Sequence, residues 1–454
     1  MTTTTPVPCA VCIVVDRLAC GFLGCYGNSW VRTPAIDRLA TESLVADVAL
    51  VDDPRLDSLC RTWWTATHAA RHAVPDAEPW PRGLHEQGIA TAMLSDDPQV
   101  ARHPLAEAFQ ERIELQLPPP QRLATDDDET QLAGFFAAAA EWLETPPQGP
   151  FLLWLHVGSL GVAWDAPQPL RAQYVEDEDD PPPLELWEPP AARLAADTDP
   201  DWLLGVRRAY AAQVHLLDRY VGHLMFVLRE RGVLERALVV LCGARGISLG
   251  LHRRVGVPPG EPAEPLWEEV VHFPCLVRWP QQAAAASRTP VLVQPHDLGR
   301  TLQEWFALVP QHAAVAAAQP IQGGPAAAAA PTTTRGESAA ADWPGYEAYR
   351  SPAVEVPQFA TCDLLAARNL LGPADHPHPA WRDAAYLVSG AQHGIRTAQW
   401  YLRAVWSAEE HGYSNRELFH KPDDRWEVND VAARCPQELD ELTMRLTELR
   451  RSGG

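Results

Sequence analysis

The sequence predicts an α/β fold: a large central sheet, mostly parallel but mixed and flanked by helices, followed by a small C-terminal α+β subdomain of antiparallel strands and one helix. Three observations carry this. The run from Ala10 to Val15 is apolar at every position, as in a strand buried on both faces of a parallel sheet. Strand-like runs then alternate with helical patterns through about residue 308, which is the order of βαβ units. Beyond residue 384 the pattern changes to short strand-like segments and a single terminal helix.

Taken in order, the opening strand ends at Asp16 and runs into a glycine-rich turn. In an open parallel sheet the functional crevice lies beyond the carboxyl ends of the strands, so Asp16 stands where ligand chemistry is expected. Thr33 and Pro34, a cap and a first-turn proline, start a helix over Ala35–Ser43 with Ile36, Leu39 and Ala40 on one face. A strand at Leu44–Val51, a helix at Leu59–Ala70 and a strand at Gly88–Leu94 follow. The acidic run Asp126–Glu129 suits the N-terminus of a helix that continues to Leu143. Phe151–His156 reads as the next strand, and the acidic, proline-rich stretch Tyr174–Ala196 as an exposed loop.

Val206, Tyr210, Val214, Leu217, Val221, Leu224 and Leu228 recur every three or four residues, predicting a long helix over Asp201–Arg231. Strands at Ala237–Cys242 and Phe273–Arg278 and the helical segment DLGRTLQEWFAL complete an α/β domain over 1–309. Residues 310–343 collapse to Ala, Pro, Gly, Thr and Gln, a linker or insertion. The C-terminal part, 344–454, holds strands at Ala384–Val388, Gly394–Thr397, Trp400–Val405 and Glu417–Phe419 and a helix over Pro436–Arg450.

Composition narrows the function classes. With 46% hydrophobic and 21% charged residues the chain reads as a soluble globular protein, and no run approaches the roughly 20 apolar residues of a membrane span. The opening MTTTTPVP lacks the basic start and apolar core of a secretory signal, which predicts a cytoplasmic location. A formal net charge of −22 argues against nucleic acid or an acidic membrane as partner. The nine cysteines are scattered through apolar runs, as free buried thiols are, and the CxxC spacing of Cys9 and Cys12 lacks a second pair to complete a zinc site. Lys421 is the single lysine. Cationic chemistry elsewhere therefore falls to arginine.

The order of motifs resembles the sulfatase family of the alkaline phosphatase superfamily. VVDRLACGFLGCYGN followed by TPAID is similar to the family's opening, in which a strand ends in paired aspartates before a GCYG-type turn. The long helix and the strand ending in CGARG resemble the segment that closes in a Ser-Asp-His-Gly or Ser-Asp-Asn-Gly turn. WEEVVHFPCLVRWP, HDLGRTLQEWFAL and the C-terminal strand cluster match later landmarks. The resemblance implies a hydrolase of sulfate or phosphate esters. That chemistry needs a hard divalent cation on several oxygens, a nucleophile, and positive charge around the leaving anion.

Carried over residue by residue, the family's machinery is largely replaced. Its paired aspartates become Asp16 and Arg17, and its two further metal ligands become Ala244 and Arg245. Asp57 stands at the Cys that the family converts to formylglycine, with Leu59 at the motif's Pro and Arg61 at its Arg. The Lys upstream of WEEVVHFP has no counterpart, and Gly161 takes the place of a substrate-side His. His156 and His252 remain. One acid among several guanidiniums reverses the field that a divalent cation needs.

The reading that the residues favour is a sulfatase-like protein whose metal ligands and formylglycine Cys are lost, an inactive pseudoenzyme with a binding or assembly role. In it, Asp16, Arg17, Asp57, Arg61 and Arg245 form an ion-paired cluster in the old site. The alternative is a metal-free sulfate or phosphate ester hydrolase using Asp57 with Arg61 and Arg245, and the second alternative is an anion-binding module. No cofactor is expected, and calcium or magnesium only if ligands outside the family's pattern rebuild the site. The expected partner is a protein or a small sulfate- or phosphate-bearing ligand. Plain structural roles compete: Asp16 and Asp57 as capping acids, Arg61 on a helix surface, His156 and His252 as satisfied core histidines.

Overall fold

All eight residues of the first strand, β1 (Cys9–Asp16), are buried. A strand without an exposed face must lie inside a sheet covered on both sides. The computed structural model describes residues 8–72, 77–176, 180–258, 264–307 and 382–453, and in it β1 sits near the middle of an eight-stranded sheet. The other strands are β2 (Leu44–Ala49), β3 (Ala90–Ser95), β4 (Glu111–Glu114), β5 (Phe151–Val157), β6 (Ala192–Arg193), β7 (Ala237–Arg245), β8 (Arg254–Val255), β9 (Cys275–Arg278) and β10 (Ser287–Val293). The order is β10-β2-β9-β7-β1-β5-β3-β4, with β6 and β8 forming a separate two-stranded ribbon. Only β9 runs antiparallel to its neighbours β2 and β7. The sheet is therefore mixed but mostly parallel, as the sequence predicts.

Alternation along β1 divides the core. Val11, Ile13 and Val15 pack on one face with the helices Gln131–Trp142 and Pro200–Glu230, while Ala10, Cys12 and Val14 face the helices Leu56–Thr65 and Pro295–Ala307 on the other. The long helix starts on an Asp199 cap with Pro200 in its first turn. Its buried Asp218 reaches across to accept the backbone N–H groups of Ala35 and Ile36. That carboxylate satisfies the orphan donors at the start of the helix Pro34–Thr41.

Three differences from the sequence reading have local causes. The helix expected over Leu59–Ala70 runs Leu56–Thr65, because Ala66 takes the left-handed conformation and ends it. The acidic run forms a short 3₁₀ turn, Asp127–Glu129, ahead of a helix capped by Thr130. Strands β4 and β10 escape notice because both are edge strands of polar or proline-bearing sequence.

The C-terminal residues form an antiparallel sheet of β11 (Ala384–Ser389), β12 (Gln392–Thr397), β13 (Trp400–Ser407) and β14 (Gly412–His420), in that order. The helix Pro436–Gly453 packs on it through Leu442 and Leu446. This sheet is tied to the large one: Val388 N–H donates to the Asp52 carbonyl, and Ser389 Oγ donates to the Glu264 carbonyl at 2.7 Å. The expected linker at 310–343 lies outside the described residues. Among the described residues, no helix is long and apolar enough to cross a membrane.

Gly246, just past β7, is where the strand passes closest to the segment after Trp267. A Cβ there would lie 2.0 Å from the Glu269 carbonyl oxygen, and backbone cannot swing away as a side chain can. Gly246→Ala is expected to destabilise the fold by about 2 kcal/mol or more, read as a fall in urea midpoint with unchanged m-value.

Candidate functional site

The parallel pairing of β1 with β7 skips one residue at its end: Val15 faces Gly243, and Asp16 faces Arg245. Ala244 falls out of the pairing, as in a β-bulge, and this brings acid and guanidinium opposite each other at the carboxyl edge of the sheet. Arg245 donates from Nε to Asp16 Oδ1 at 2.9 Å and from Nη2 to Oδ2 at 3.2 Å. Both oxygens of Asp16 are thus engaged by one fork, the geometry that suits arginine rather than lysine.

A second fork completes the cluster. Arg17 donates to Glu264 through Nη2 at 2.5 Å and Nη1 at 3.1 Å, and Arg245 Nη1 reaches the same carboxylate at 3.1 Å. Arg17 adopts a positive φ of 61°, a backbone state that costs a non-glycine residue free energy and needs support. Tyr210 on the long helix supplies it, donating its hydroxyl to the Arg17 carbonyl and accepting from the Ala19 N–H. The quartet Asp16, Arg17, Arg245 and Glu264 carries two charges of each sign and is nearly closed to water. Burial alone would raise the Asp16 carboxyl, but Arg245 and then Arg17 outweigh it and bring it down to about 2. Burial likewise opposes the Glu264 charge, and Arg17 and Arg245 hold it below the ordinary range.

The other sequence-derived residues lie around this quartet without all joining it. Asp57 is in the first turn of the helix Leu56–Thr65, largely exposed, 3.6 Å from Arg61 and 3.2 Å from His103. Arg245 turns away from it toward the Pro54 carbonyl, Asp16 and Glu264. The expected five-residue cluster is therefore divided in two. Cys60 is buried beneath, and burial pushes its thiol well above the ordinary range. His156, on β5, is fully buried with neither ring nitrogen hydrogen-bonded among the described residues; burial lowers it, against the pull of Asp16. His252 stacks on Trp267 with centroids 4.3 Å apart, and burial with Arg403 and Lys421 pushes it down to about 4. It faces a cavity separate from the quartet.

Sequence reasoning missed Glu264. Its signal is an acid three residues ahead of Trp267 where a cation was sought, and only the fold brings it to Arg17.

These residues do not fit a hard divalent cation. Ala244 offers no ligand, Arg17 and Arg245 are cations, and the oxygens of Asp16 are already occupied by a guanidinium. A Cβ on Gly161 would lie 3.5 Å from Asp16 Oδ2, so the neighbouring loop also closes over the acid. Among the described residues, no group of three or more His, Cys, Asp or Glu is arranged to hold a metal.

The Sulfatase family model matches residues 8–308. Solved structures share the whole fold: the phosphonate monoester hydrolase of Agrobacterium radiobacter at 15% identity and TM-score 0.69, covering 98% of this chain and 96% of that one. BT4656, solved with its substrate D-glucosamine-2-N,6-O-disulfate, matches at 16% identity and TM-score 0.63 over 98% of each chain. BT1596, a 2-O GAG sulfatase, matches at 13% and 0.63 over 98% and 92%. No curated protein matches by sequence.

Removing Arg245 leaves Asp16 without its fork and strips one partner from Glu264. Arg245→Met is expected to cost about 3–5 kcal/mol at neutral pH. The folded Asp16 value lies below the unfolded one, so its stabilisation is present above about pH 4 and lost as pH falls through about 2. The difference between wild type and Arg245→Met in urea denaturation should therefore shrink from pH 7 toward pH 2.5.

Proposed function

The chain belongs to the sulfatase family, and from that membership we propose that it is a catalytically inactive member, in which two guanidiniums take the electrostatic place of a divalent cation and the retained role is binding or assembly. The observation that carries this is the bidentate grip of Arg245 on Asp16. A Lewis acid would have to displace that guanidinium from a buried, neutral quartet. Hydrolysis would also need an activated nucleophile. The Cys60 thiol is raised by burial, and the Asp57 carboxylate stands at the surface. The ligand class this reading favours is a protein partner or a small sulfate- or phosphate-bearing molecule, met at the carboxyl edge of the sheet.

One observation speaks for the hydrolase alternative. Asp57 is open to solvent, with Arg61 and His103 beside it, so an ester could approach. Against it, Arg245 is committed to other groups and cannot clamp the leaving anion.

Elemental analysis of protein purified without chelator is expected to give far less than one calcium or magnesium per chain, and 4-nitrophenyl sulfate and phosphate to remain intact. Turnover that disappears in Asp57→Asn would overturn the proposal in favour of the hydrolase; saturable sulfate or phosphate binding without turnover would mark an anion-binding module. Restoring the family's residues at once, as Arg17→Asp with Ala244→Asp and Arg245→Asn, is expected to make thermal stability rise with added calcium, where wild type shows no such rise.

A further inference from the structure

A second cluster lies away from the Asp16 quartet and shares no residue with it. Cys20, in the short 3₁₀ turn Cys20–Phe22, has its Sγ 3.6 Å from His272 Nε2. The opposite ring nitrogen, Nδ1, is 3.5 Å from Glu268 Oε1, one helical turn back along the chain. Glu268 is in turn held by Lys421, the single lysine, at 2.6 Å from Oε2. The three groups are strung in a line through the imidazole rather than gathered around a point, which is the order of a nucleophile, its base and an orienting acid.

All three line one cavity of about 920 Å³. Trp426 and Val428 on its wall are 50% and 80% exposed, so it opens to water. Beside Cys20 the Arg425 guanidinium rests on Gly21, where a Cβ would lie 3.0 Å from Nη2, and stacks on Trp426 at 4.9 Å. Arg425 has no carboxylate partner among the described residues.

Charges around His272 favour its protonated form. Burial lowers it, but Cys20 and Glu268 outweigh burial and raise it to about 10. The Asp47 carbonyl accepts from Nε2 at 3.1 Å, and Tyr26 meets the ring edge to face. Burial opposes the Glu268 charge, and His272 first, then Lys421 and Arg396, keep it ionised. An imidazolium beside a thiol stabilises the thiolate, the nucleophilic form.

We propose that Cys20, His272 and Glu268 form a thiol acyl-transfer site whose substrate is an activated ester or thioester carrying an anionic group for Arg425. The Cys20 thiolate attacks the acyl carbon, forming a C–S bond. The bond to the leaving oxygen or sulfur breaks, and the leaving group keeps the electron pair and takes the His272 Nε2 proton, which the Asp47 carbonyl accepts at 3.1 Å until then. Water then adds to the thioester, gives a proton to the neutral imidazole, and releases the Cys20 thiolate beside a restored imidazolium. Glu268 is a positioning residue that holds the ring through Nδ1.

The test begins with unmodified protein, so no variant has to fold. Under limiting iodoacetamide with peptide mass spectrometry, Cys20 should label at least about tenfold faster at pH 6.5 than the half-buried Cys435, because the His272 ring stands beside its sulfur. His272→Gln should remove that advantage and make labelling rise steeply toward pH 9. Mono-4-nitrophenyl succinate should give a burst of one nitrophenolate per chain and a succinyl adduct on Cys20, and Arg425→Met should abolish its advantage over 4-nitrophenyl acetate. Cys20 labelling no faster than Cys435, or rapid labelling with no acyl adduct from either ester, would overturn the proposal. Neither readout involves Asp16 or Arg245, so the result is independent of the inactive-site reading.

Discussion

A carboxylate at the buried end of a central strand cannot remain charged without partners, and the arrangement around Asp16 follows from that. β1 is flanked by β5 and β7 and covered on both faces, so water does not screen the acid. Its charge is met by the Arg245 fork, Arg245 by Glu264, and Glu264 by Arg17. Each ion is affordable only because the next is present. The bulge that drops Ala244 out of register, the positive φ at Arg17 and the Tyr210 clamp all serve this closure.

The same physics operates in the cavity at lower symmetry. There the buried charges are not closed on themselves: Lys421 and His272 hold Glu268, and Cys20 completes the line at its open end. The charges of the quartet are met by one another, whereas the chain of charges in the cavity ends in a thiol at its wall. The single lysine of the protein thus lies behind the reactive group rather than at the family's old site. Its Nζ also donates to the Asp424 carbonyl, fixing the loop that carries Arg425.

Much of the fold was legible because the signals are local. The continuous apolar run of β1, the three- and four-residue spacing of the long helix and Pro34 in a first helical turn each report a face or a start, whereas the side-chain cap expected of Thr33 is supplied instead by Asp218. Edge strands were not legible, since β4 buries no residue, β10 is interrupted by a proline, and each pairs with one neighbour. The site was legible in part: Asp16, Arg17 and Arg245 stand at motif positions. Asp57 does not join them, because its place in the first helical turn points it to solvent beside Arg61.

The sequence by itself determined the layer architecture, the family and the exchange of acids for arginines, because periodicity and motif order are written along the chain. Only the tertiary structure decided which charges meet. Glu264 is 247 residues from Arg17, and Cys20 is 252 from His272. The loop bearing Glu264 is held by Ser389 of the C-terminal sheet. Pairings at such separations depend on strand register and on which element covers the sheet, and neither leaves a local pattern to read.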